Sequence, residues 1–220
     1  GVFGIWYGKG PGVDRAGDAL KHVNLAGTSR FGGVIALMGD DHICESSTTS
    51  HQSEFAMIDA MIPFLNPSGV QEILDYGIIG IELSRKSGCW VGIKCVHDNV
   101  SSGATVDLDE NRVVLKDISE ENYPSDGLNI RLKDTAQEKE YRLHHHKLKY
   151  VKDYCKVNNL NRLIFDSEKP RIGIISTGKS FLDTKLGLEK IGINKEIANK
   201  IGIKFLKIAM PWPLEETVIE

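Results

Sequence analysis

The stretch GGVIALMGD, residues 32–40, is a short and continuous apolar run that ends in Gly-Asp. A run of this length and composition is typical of a strand that is buried on both faces of a parallel sheet. The segment before it, Asp14–Ala26, has the apolar spacing of a helix and is entered through Pro11-Gly12. We therefore predict a helix followed by a buried strand, with the loop from Asp40 to Ser50 at the strand's carboxyl end.

The same alternation continues on the carboxyl side of this loop. Strand, helix, strand, helix, strand is the signature of an α/β fold with a mostly parallel sheet flanked by helices. The pattern changes near Asn99, where two short apolar runs predict a small hairpin. The predicted elements are helices over Ser53–Ile62, with Ser53 as its cap, and Ser68–Lys86, strands at PFLNP (63–67) and CWVGIKCV (89–96), and hairpin strands at ATVDL (104–108) and RVVLK (112–116).

A second α/β unit is predicted in the carboxyl-terminal half of the chain. Asp117–Gln137 is polar and contains Pro124 and Asp126-Gly127, so we interpret it as a linker. The predicted domains are thus residues 1–116, a linker over 117–137 and a truncated domain over 138–220. Its predicted elements are a charged helix over Glu138–Asn158, strands at RLIFD (162–166), RIGIIS (171–176) and IKFLKIA (203–209), and a helix over Lys179–Ile191.

The composition excludes several functional classes. The 220 residues include 27 basic and 30 acidic side chains, with a net charge of −3, which gives no electrostatic footprint for nucleic acid or an anionic membrane. No apolar run approaches the roughly 18–20 residues of a membrane span. The four cysteines form no CxxC pair, so neither a zinc site nor an iron–sulfur cluster is predicted, and reduced thiols are expected.

The first candidate motif is GKGPGVDR, residues 8–15. Glycines 8, 10 and 12 permit positive φ and the close approach of a ligand, just ahead of a predicted helix. A glycine-rich turn of this kind is also common as a purely structural feature. Both interpretations stay open at this point.

The second candidate motif is DDHICESSTTSHQSE, residues 40–54. Adjacent carboxylates at the carboxyl end of a strand lie where open α/β sheets bind ligands. Hydroxyl groups and two histidines follow them. A solvated loop with a cap for the next helix accounts for Ser53 but not for the whole set, so we favour a functional loop. We predict no metal site, since His42 and His51 have no neighbour at helical ligand spacing.

The third candidate motif is GIISTGKS, residues 173–180, which matches the phosphate-binding pattern G-x-x-x-x-G-K-S. Ile174 and Ile175 belong inside a strand rather than in a loop that surrounds phosphate. The next strand also ends without the aspartate that would assist Mg²⁺. We interpret Thr177-Gly178 as a turn into a helix, and a P-loop nucleotide-binding protein stays an alternative.

Several long segments resemble the fused bacterial indolepyruvate ferredoxin oxidoreductase family, which is thiamine-diphosphate-dependent. They are WYGKGPGVDR through HQSE (6–54), LNPSGVQEILDYGIIGIELSRKSGCWVGIKCVHDNVSS (65–102), DGLNIR (126–131), LNRLIFDS (160–167), RIGIISTGKSFLD (171–183) and WPLE (212–215). The resemblance implies the latter part of a pyrimidine-binding domain of the thiamine type, followed by the start of a transketolase-C-terminal-like domain. It also implies that the chain is a fragment, which agrees with its start in mid-pattern at GVFGIWYG.

The resemblance implies the chemistry of the complete protein. An arylpyruvate is oxidatively decarboxylated to its acyl-CoA, with coenzyme A as acyl acceptor and ferredoxin as electron acceptor. Thiamine diphosphate, Mg²⁺ and iron–sulfur clusters are the implied cofactors. The activating glutamate is expected before Gly1, and the cluster cysteines and the diphosphate domain after Glu220. The fragment alone is expected to be inactive, and the full-length protein to be a cytoplasmic homo-oligomer that binds neither nucleic acid nor membrane.

The resemblance also assigns cleft-lining residues in this chain, although no catalytic residue is assigned with certainty. Gly39-Asp40 is followed by Asp41 instead of the glycine of a thiamine diphosphate–Mg²⁺ motif, so we do not expect the diphosphate here. Lys9, Arg15 or a histidine is expected to pair with the substrate carboxylate. A non-catalytic scaffold fragment of the same fold stays a second alternative. The cofactor- or substrate-binding residues implied are Lys9, Gly10, Pro11, Gly12, Asp14, Arg15, Asp40, Asp41, His42, Ser46, Ser47, Thr48, His51 and Gln52.

Overall fold

The computed structural model of the protein describes residues 1–219. Within these residues, two sheets form the framework. The first has four parallel strands in the order β1-β2-β4-β3. The second has the order β5-β7-β6, in which β6 is parallel and β5 antiparallel to β7. The strands are β1 Phe3–Lys9, β2 Gly33–Asp40, β3 Phe64–Leu65, β4 Val91–Val96, β5 Arg162–Phe165, β6 Ile172–Thr177 and β7 Ile203–Ile208.

Helices connect and cover these strands. The predicted α/β class, a mostly parallel sheet flanked by helices, is confirmed. In the described residues, no helix has the length and apolar character needed to cross a bilayer. The α-helices are α1 Gly10–Arg15, α2 Gly17–Ala26, α3 Glu54–Asp59, α4 Val70–Ser87, α5 His97–Val100, α6 Ala136–Arg142, α7 Leu148–Val157, α8 Gly178–Lys190 and α9 Lys195–Ile201, with a π-helical turn at Leu143–Lys147 and 3-10 turns at Glu120–Asn122 and Glu216–Val218.

The predicted buried strand is β2, which lies inside the first sheet between β1 and β4. Its alternate side chains enter different cores because successive residues of a strand point to opposite faces. Ile35 packs with α4 on one face, in a core that also contains Tyr150 and Tyr154 of α7. Met38 packs with Val13 on the other face. The first sheet is therefore covered on both sides, as its continuous apolar sequence predicts.

Several predicted element boundaries differ from the structure. The helix predicted over Asp14–Ala26 consists of two helices, α1 and α2, which meet at Ala16. The helix predicted over Ser53–Ile62 is only Glu54–Asp59, and the Ser53 side chain makes no cap bond because it donates to Asp40 instead. Strand β1 and helix α9 had no sequence prediction. A seven-residue helix and a strand that contains two glycines show only weak hydrophobic periodicity, and for this reason the sequence did not predict α9 and β1.

The hairpin predicted at 104–108 and 112–116 is wrong, since both segments are irregular. Side chains replace the ladder bonds there. Gln71 binds both the N–H and the C=O of Asp107, at 2.7 and 3.2 Å. The carboxylates of Asp107 and Asp109 accept nearby backbone N–H groups at 2.9 and 2.8 Å. Aspartates whose carboxylates accept backbone N–H groups two residues further on favour turns over strands. These local bonds explain why residues 104–116 are irregular and form no hairpin.

The two sheets are joined by direct contacts. The N–H of Phe64 donates to the carbonyl of Trp212 at 2.9 Å, and that of Asn66 donates to Ala209 at 2.8 Å. Lys207 of β7 is buried and ion-paired with Glu72 of α4. The core of the first sheet contains Leu143 of the π-helical turn and Tyr150 of α7, together with Ala209 and Met210, which follow β7. Residues 143–157 therefore share a core with both units. The boundaries at 116 and 137 stay a prediction.

Candidate functional site

The two sequence motifs at 8–15 and 40–52 leave the first sheet at the same edge. Strands β1 and β2 are parallel, and Lys9 pairs with Gly39 at their carboxyl ends. The Lys9 ammonium donates to Ser46 Oγ at 2.6 Å and lies 3.4 Å from the Asp41 carboxylate. Across the same edge, His51 Nδ1 is 3.9 Å from the Asp14 carboxylate. The glycine turn and the acidic loop therefore form one continuous surface.

The three glycines of the first motif have different physical roles. None adopts positive φ, so that part of the prediction is wrong. A Cβ at Gly8 would lie 2.6 Å from the Trp6 ring, and a Cβ at Gly10 would lie 2.4 Å from His51. These two glycines are required by internal packing. Gly12 differs, because a Cβ there meets nothing within 4 Å, which leaves open space beside the backbone.

The loop between β2 and α3 is a closed unit. Asp41 and His51 exchange two backbone hydrogen bonds, at 3.3 Å and 3.0 Å. The Asp41 carboxylate accepts the N–H groups of Ser46 at 3.0 Å and Glu45 at 2.8 Å. These bonds hold the pKa of Asp41 well below its usual range, because they favour the ionised form. The carboxylate and backbone of Asp41 are therefore hydrogen-bonded within the loop, and these bonds stabilise the loop conformation.

The neighbouring carboxylate, Asp40, points into the protein and is 5% exposed. It accepts the N–H and the hydroxyl of Ser53 at 3.1 and 2.5 Å, and Lys94 lies 3.5 Å away. Burial raises the pKa of Asp40, and the bonds from Ser53 and the charge of Lys94 offset only part of that rise. The paired aspartates of the motif thus have opposite environments, and Asp40 does not line the surface.

Sequence reasoning missed Lys94, which pairs with both Asp40 and Glu54 at this edge. Burial raises the pKa of Glu54, but the hydrogen bond and charge of Lys94 outweigh burial, so this pKa lies below its usual value. A signal was present in the sequence, because a lysine inside the apolar strand VGIKCV requires a partner when it is buried. The sequence could not predict which residue is that partner, because β2 and β4 are separated by about fifty residues of chain.

The remaining predicted site residues lie around these groups. Gly10 is buried, whereas Lys9, Gly12, Asp41, Ser47 and His51 are half-buried. The exposed members of the predicted set are Pro11, Asp14, Arg15, His42, Ser46, Thr48 and Gln52.

One group of potential metal ligands occurs at this edge. Ligand atoms of Asp40, His42 and Glu54 lie within 4.8 Å of one another. The buried ammonium of Lys94 already contacts both carboxylates. A divalent cation would meet that fixed positive charge at short range, which disfavours binding.

The GKS motif is not a phosphate loop. Residues Ile172–Thr177 form strand β6, and α8 begins at Gly178. The Lys179 ammonium is paired with Asp183, one helical turn further on, at 2.8 Å. Gly178 has a φ of 55°, and a Cβ at this position would lie 2.5 Å from the Asn66 side chain. The turn therefore packs against the end of β3, in agreement with the strand-to-turn interpretation.

Comparison with solved structures defines the class of fold. The chain matches a 2-oxoglutarate:ferredoxin oxidoreductase from Magnetococcus marinus, solved with 2-oxoglutarate, coenzyme A and succinyl-CoA bound, with a TM-score of 0.57 and 14% sequence identity. The match covers 99% of this chain and 43% of that chain. The fold of this chain is therefore similar to that of part of a 2-oxoacid:ferredoxin oxidoreductase.

Sequence comparison narrows the relationship. Residues 162–220 match the indolepyruvate oxidoreductase domain family. The chain is 26% identical over 217 residues to the indolepyruvate oxidoreductase subunit IorA of Archaeoglobus fulgidus, covering 95% of this chain and 31% of the relative. It is 25% identical over 206 residues to subunit IorA of Methanothermobacter marburgensis, covering 93% and 32%. The chain is thus a relative of the indolepyruvate oxidoreductases, which confirms the resemblance, and it spans about a third of these relatives' length.

Proposed function

We propose that this chain forms one wall of the thiamine and substrate site of an oxidoreductase that decarboxylates an arylpyruvate of the indolepyruvate type. The products are an acyl-CoA, CO₂ and electrons that pass through iron–sulfur clusters to ferredoxin. The observation that carries the proposal is the convergence of residues 8–15 and 41–52 at one carboxyl edge of a parallel sheet, where α/β folds bind ligands. The relationship to indolepyruvate oxidoreductases supports the choice of chemistry.

The residues at this edge fit a flat, polar ring and a carboxylate. Open space at Gly12 allows a ring to approach the backbone. Lys9 presents a half-exposed ammonium, and Arg15 presents an exposed guanidinium. Such cations suit the carboxylate of a 2-oxoacid. When bound, thiamine diphosphate would supply a nucleophilic carbon for the keto group and take up the electrons left when CO₂ departs.

The tasks of this chain in the reaction are positional. The bonds of Asp41 to its own loop keep Ser46 beside Lys9, so that the ammonium is fixed before the substrate arrives. Preorganised donors of this kind lower the entropic cost of bringing reactants together. His42 and Gln52 are exposed beside this surface and supply hydrogen-bonding groups.

The other components of the reaction belong to the proposal as well. We propose that Mg²⁺, the iron–sulfur clusters, and the binding of coenzyme A and ferredoxin are provided by polypeptide outside these 220 residues, so that this chain alone is inactive. We also keep the domain division at 116 and 137, homo-oligomerisation of the complete protein and a cytoplasmic location as parts of this proposal.

The test uses the protein purified as the cell makes it, with variants introduced at the chromosomal locus. The assay follows arylpyruvate- and coenzyme A-dependent reduction of a viologen. Gly12→Leu fills the open space and should lower kcat/KM by about tenfold or more, since small displacements of reactants are costly. Gly17→Leu is the matched control, because a Cβ at Gly17 also meets nothing within 4 Å but lies outside the proposed wall.

Indolepyruvate should give the highest kcat/KM in a panel that includes phenylpyruvate and branched-chain oxoacids. Unchanged activity of Gly12→Leu would contradict the proposed wall. An absence of oxoacid-dependent reduction in the wild-type protein would contradict the proposed reaction.

A further inference from the structure

Lys94 is a buried charge at the carboxyl edge of the first sheet. It lies in strand β4, and its side chain is 7% exposed. A lone buried ammonium is too costly to persist without anionic partners, so its contacts are informative. They are the carboxylates of Asp40 and Glu54.

These two partners stand at the two ends of one loop. Asp40 is the last residue of β2, and Glu54 is the first residue of α3. Ser53 adds a second link between these ends through its two hydrogen bonds to Asp40. Lys94, on a strand that neighbours β2, therefore ties strand β4 to the residues at both ends of the loop over residues 41–53.

The local charges explain why a cation is needed here. Two carboxylates lie close together in a largely buried position, and their mutual repulsion requires a positive charge between them. The ligand atoms of Asp40, Glu54 and His42 lie within 4.8 Å of one another. Two carboxylates and an imidazole are also donors that divalent transition metals accept. Lys94 supplies the positive charge without a metal.

We propose that Lys94 is a positioning residue whose ammonium takes the place of a divalent cation between Asp40 and Glu54 and so fixes the loop that carries residues 41–52. The relevance of this loop to binding rests on the proposed function. The replacement of a metal ion by Lys94 does not, and it is tested without substrate or thiamine.

The experiment measures Co²⁺ binding by the 220-residue chain, from its visible absorption bands and by equilibrium dialysis. Lys94→Met removes the charge and keeps the length of the side chain, whereas Lys94→Arg keeps the charge. Lys179→Met is the matched control, because it removes an exposed lysine that pairs with Asp183 within one helix. Wild type, Lys94→Arg and Lys179→Met should bind no Co²⁺ at 41–54, and Lys94→Met should bind one ion.

Adding His42→Ala to Lys94→Met should weaken Co²⁺ binding about tenfold or more. Equal Co²⁺ binding by wild type and Lys94→Met would overturn the proposal, as would a folded Lys94→Met variant that binds none. If Lys94→Met is unfolded in a chelator, recovery of its circular dichroism on addition of Co²⁺ supports the proposal. Failure to recover while Lys94→Arg is folded contradicts it.

A second measurement uses the wild-type chain alone. Lys94 should resist acetylation in the folded protein, whereas exposed Lys21 should react readily, as followed by peptide mass spectrometry. Reaction of Lys94 at the rate of Lys21 in the folded chain would overturn the proposal.

Discussion

Replacing Gly10 with alanine places a methyl carbon 2.4 Å from both Cβ and Cγ of His51 and 2.5 Å from its Nδ1. These distances are far below van der Waals contact. His51 cannot simply rotate away, because the overlap includes its Cβ and its backbone is bonded twice to Asp41. The loop must move, or α1 must tilt away from it.

The size of the effect follows from two opposing contributions. Overpacking of this kind costs about 1–3 kcal/mol. Alanine in place of a helical glycine returns about 0.5–1 kcal/mol. Gly12→Ala lies in the same six-residue helix and meets no atom within 4 Å, so it should show the gain alone. The difference between the two variants isolates the overpacking, and we expect Gly10→Ala to be about 1–3 kcal/mol less stable than Gly12→Ala.

The measurement is urea-induced unfolding, followed by circular dichroism and analysed by linear extrapolation for wild type and both variants. The ring signals of His51 in NMR spectra should shift in Gly10→Ala and stay unchanged in Gly12→Ala. Equal stability of the two variants would refute the claim that internal packing requires the glycine at position 10.

Two further predictions concern polar groups. Asn24 is fully buried, donates to the carbonyls of Ala60 at 2.9 Å and Met61 at 2.7 Å, and accepts the N–H of Trp90 at 3.0 Å. Asn24→Leu leaves one buried and two partly buried backbone groups unpaired, so the free energy of unfolding should fall by roughly 3–6 kcal/mol, and a loss below about 1 kcal/mol in urea titrations would contradict this. The pKa of Asp41 is lower in the folded than in the unfolded state, so its stabilisation is present above about pH 4 and is lost as the pH falls toward the folded-state pKa. The urea midpoint of wild type should therefore fall more steeply than that of Asp41→Asn between pH 5 and 2.5, and parallel curves would show that the Asp41 bonds do not persist in solution.

The fold class was predictable because its signals are local. The run at 32–40 is apolar at nearly every position, which is typical of a strand covered on both faces, and the structure buries it in that way. The helices at 70–87 and 178–190 have an apolar spacing that can be recognised in the sequence without knowing which elements they pack against. The incorrect hairpin at 104–116 shows the limit of such signals, since aspartates that bond their own backbone removed the ladder there.

The position of the candidate site was only partly predictable from the sequence. The sequence placed residues 40–52 at the carboxyl end of a buried strand, but strand β1 was not predicted, so only the structure shows that residues 8–15 leave a neighbouring strand at the same edge. The role of each group depends on what covers it. Asp40 and Asp41 are adjacent in sequence, yet one is buried against Ser53 and Lys94 while the other organises its loop.

The sequence by itself determined the α/β class, most of the helices and strands, the place of the acidic loop at the carboxyl end of a buried strand, and the similarity to indolepyruvate oxidoreductases. Only the tertiary structure decided which polar groups are satisfied internally and which remain available to a ligand. Hydrophobic periodicity is a property of consecutive residues and can be recognised in a short segment. The pairing of Lys94 with Asp40 and Glu54, in contrast, requires strands that are distant in the chain to become neighbours. Burial and charge pairing arise from that assembly, and for this reason Lys94 and the packing role of Gly10 became visible only in three dimensions.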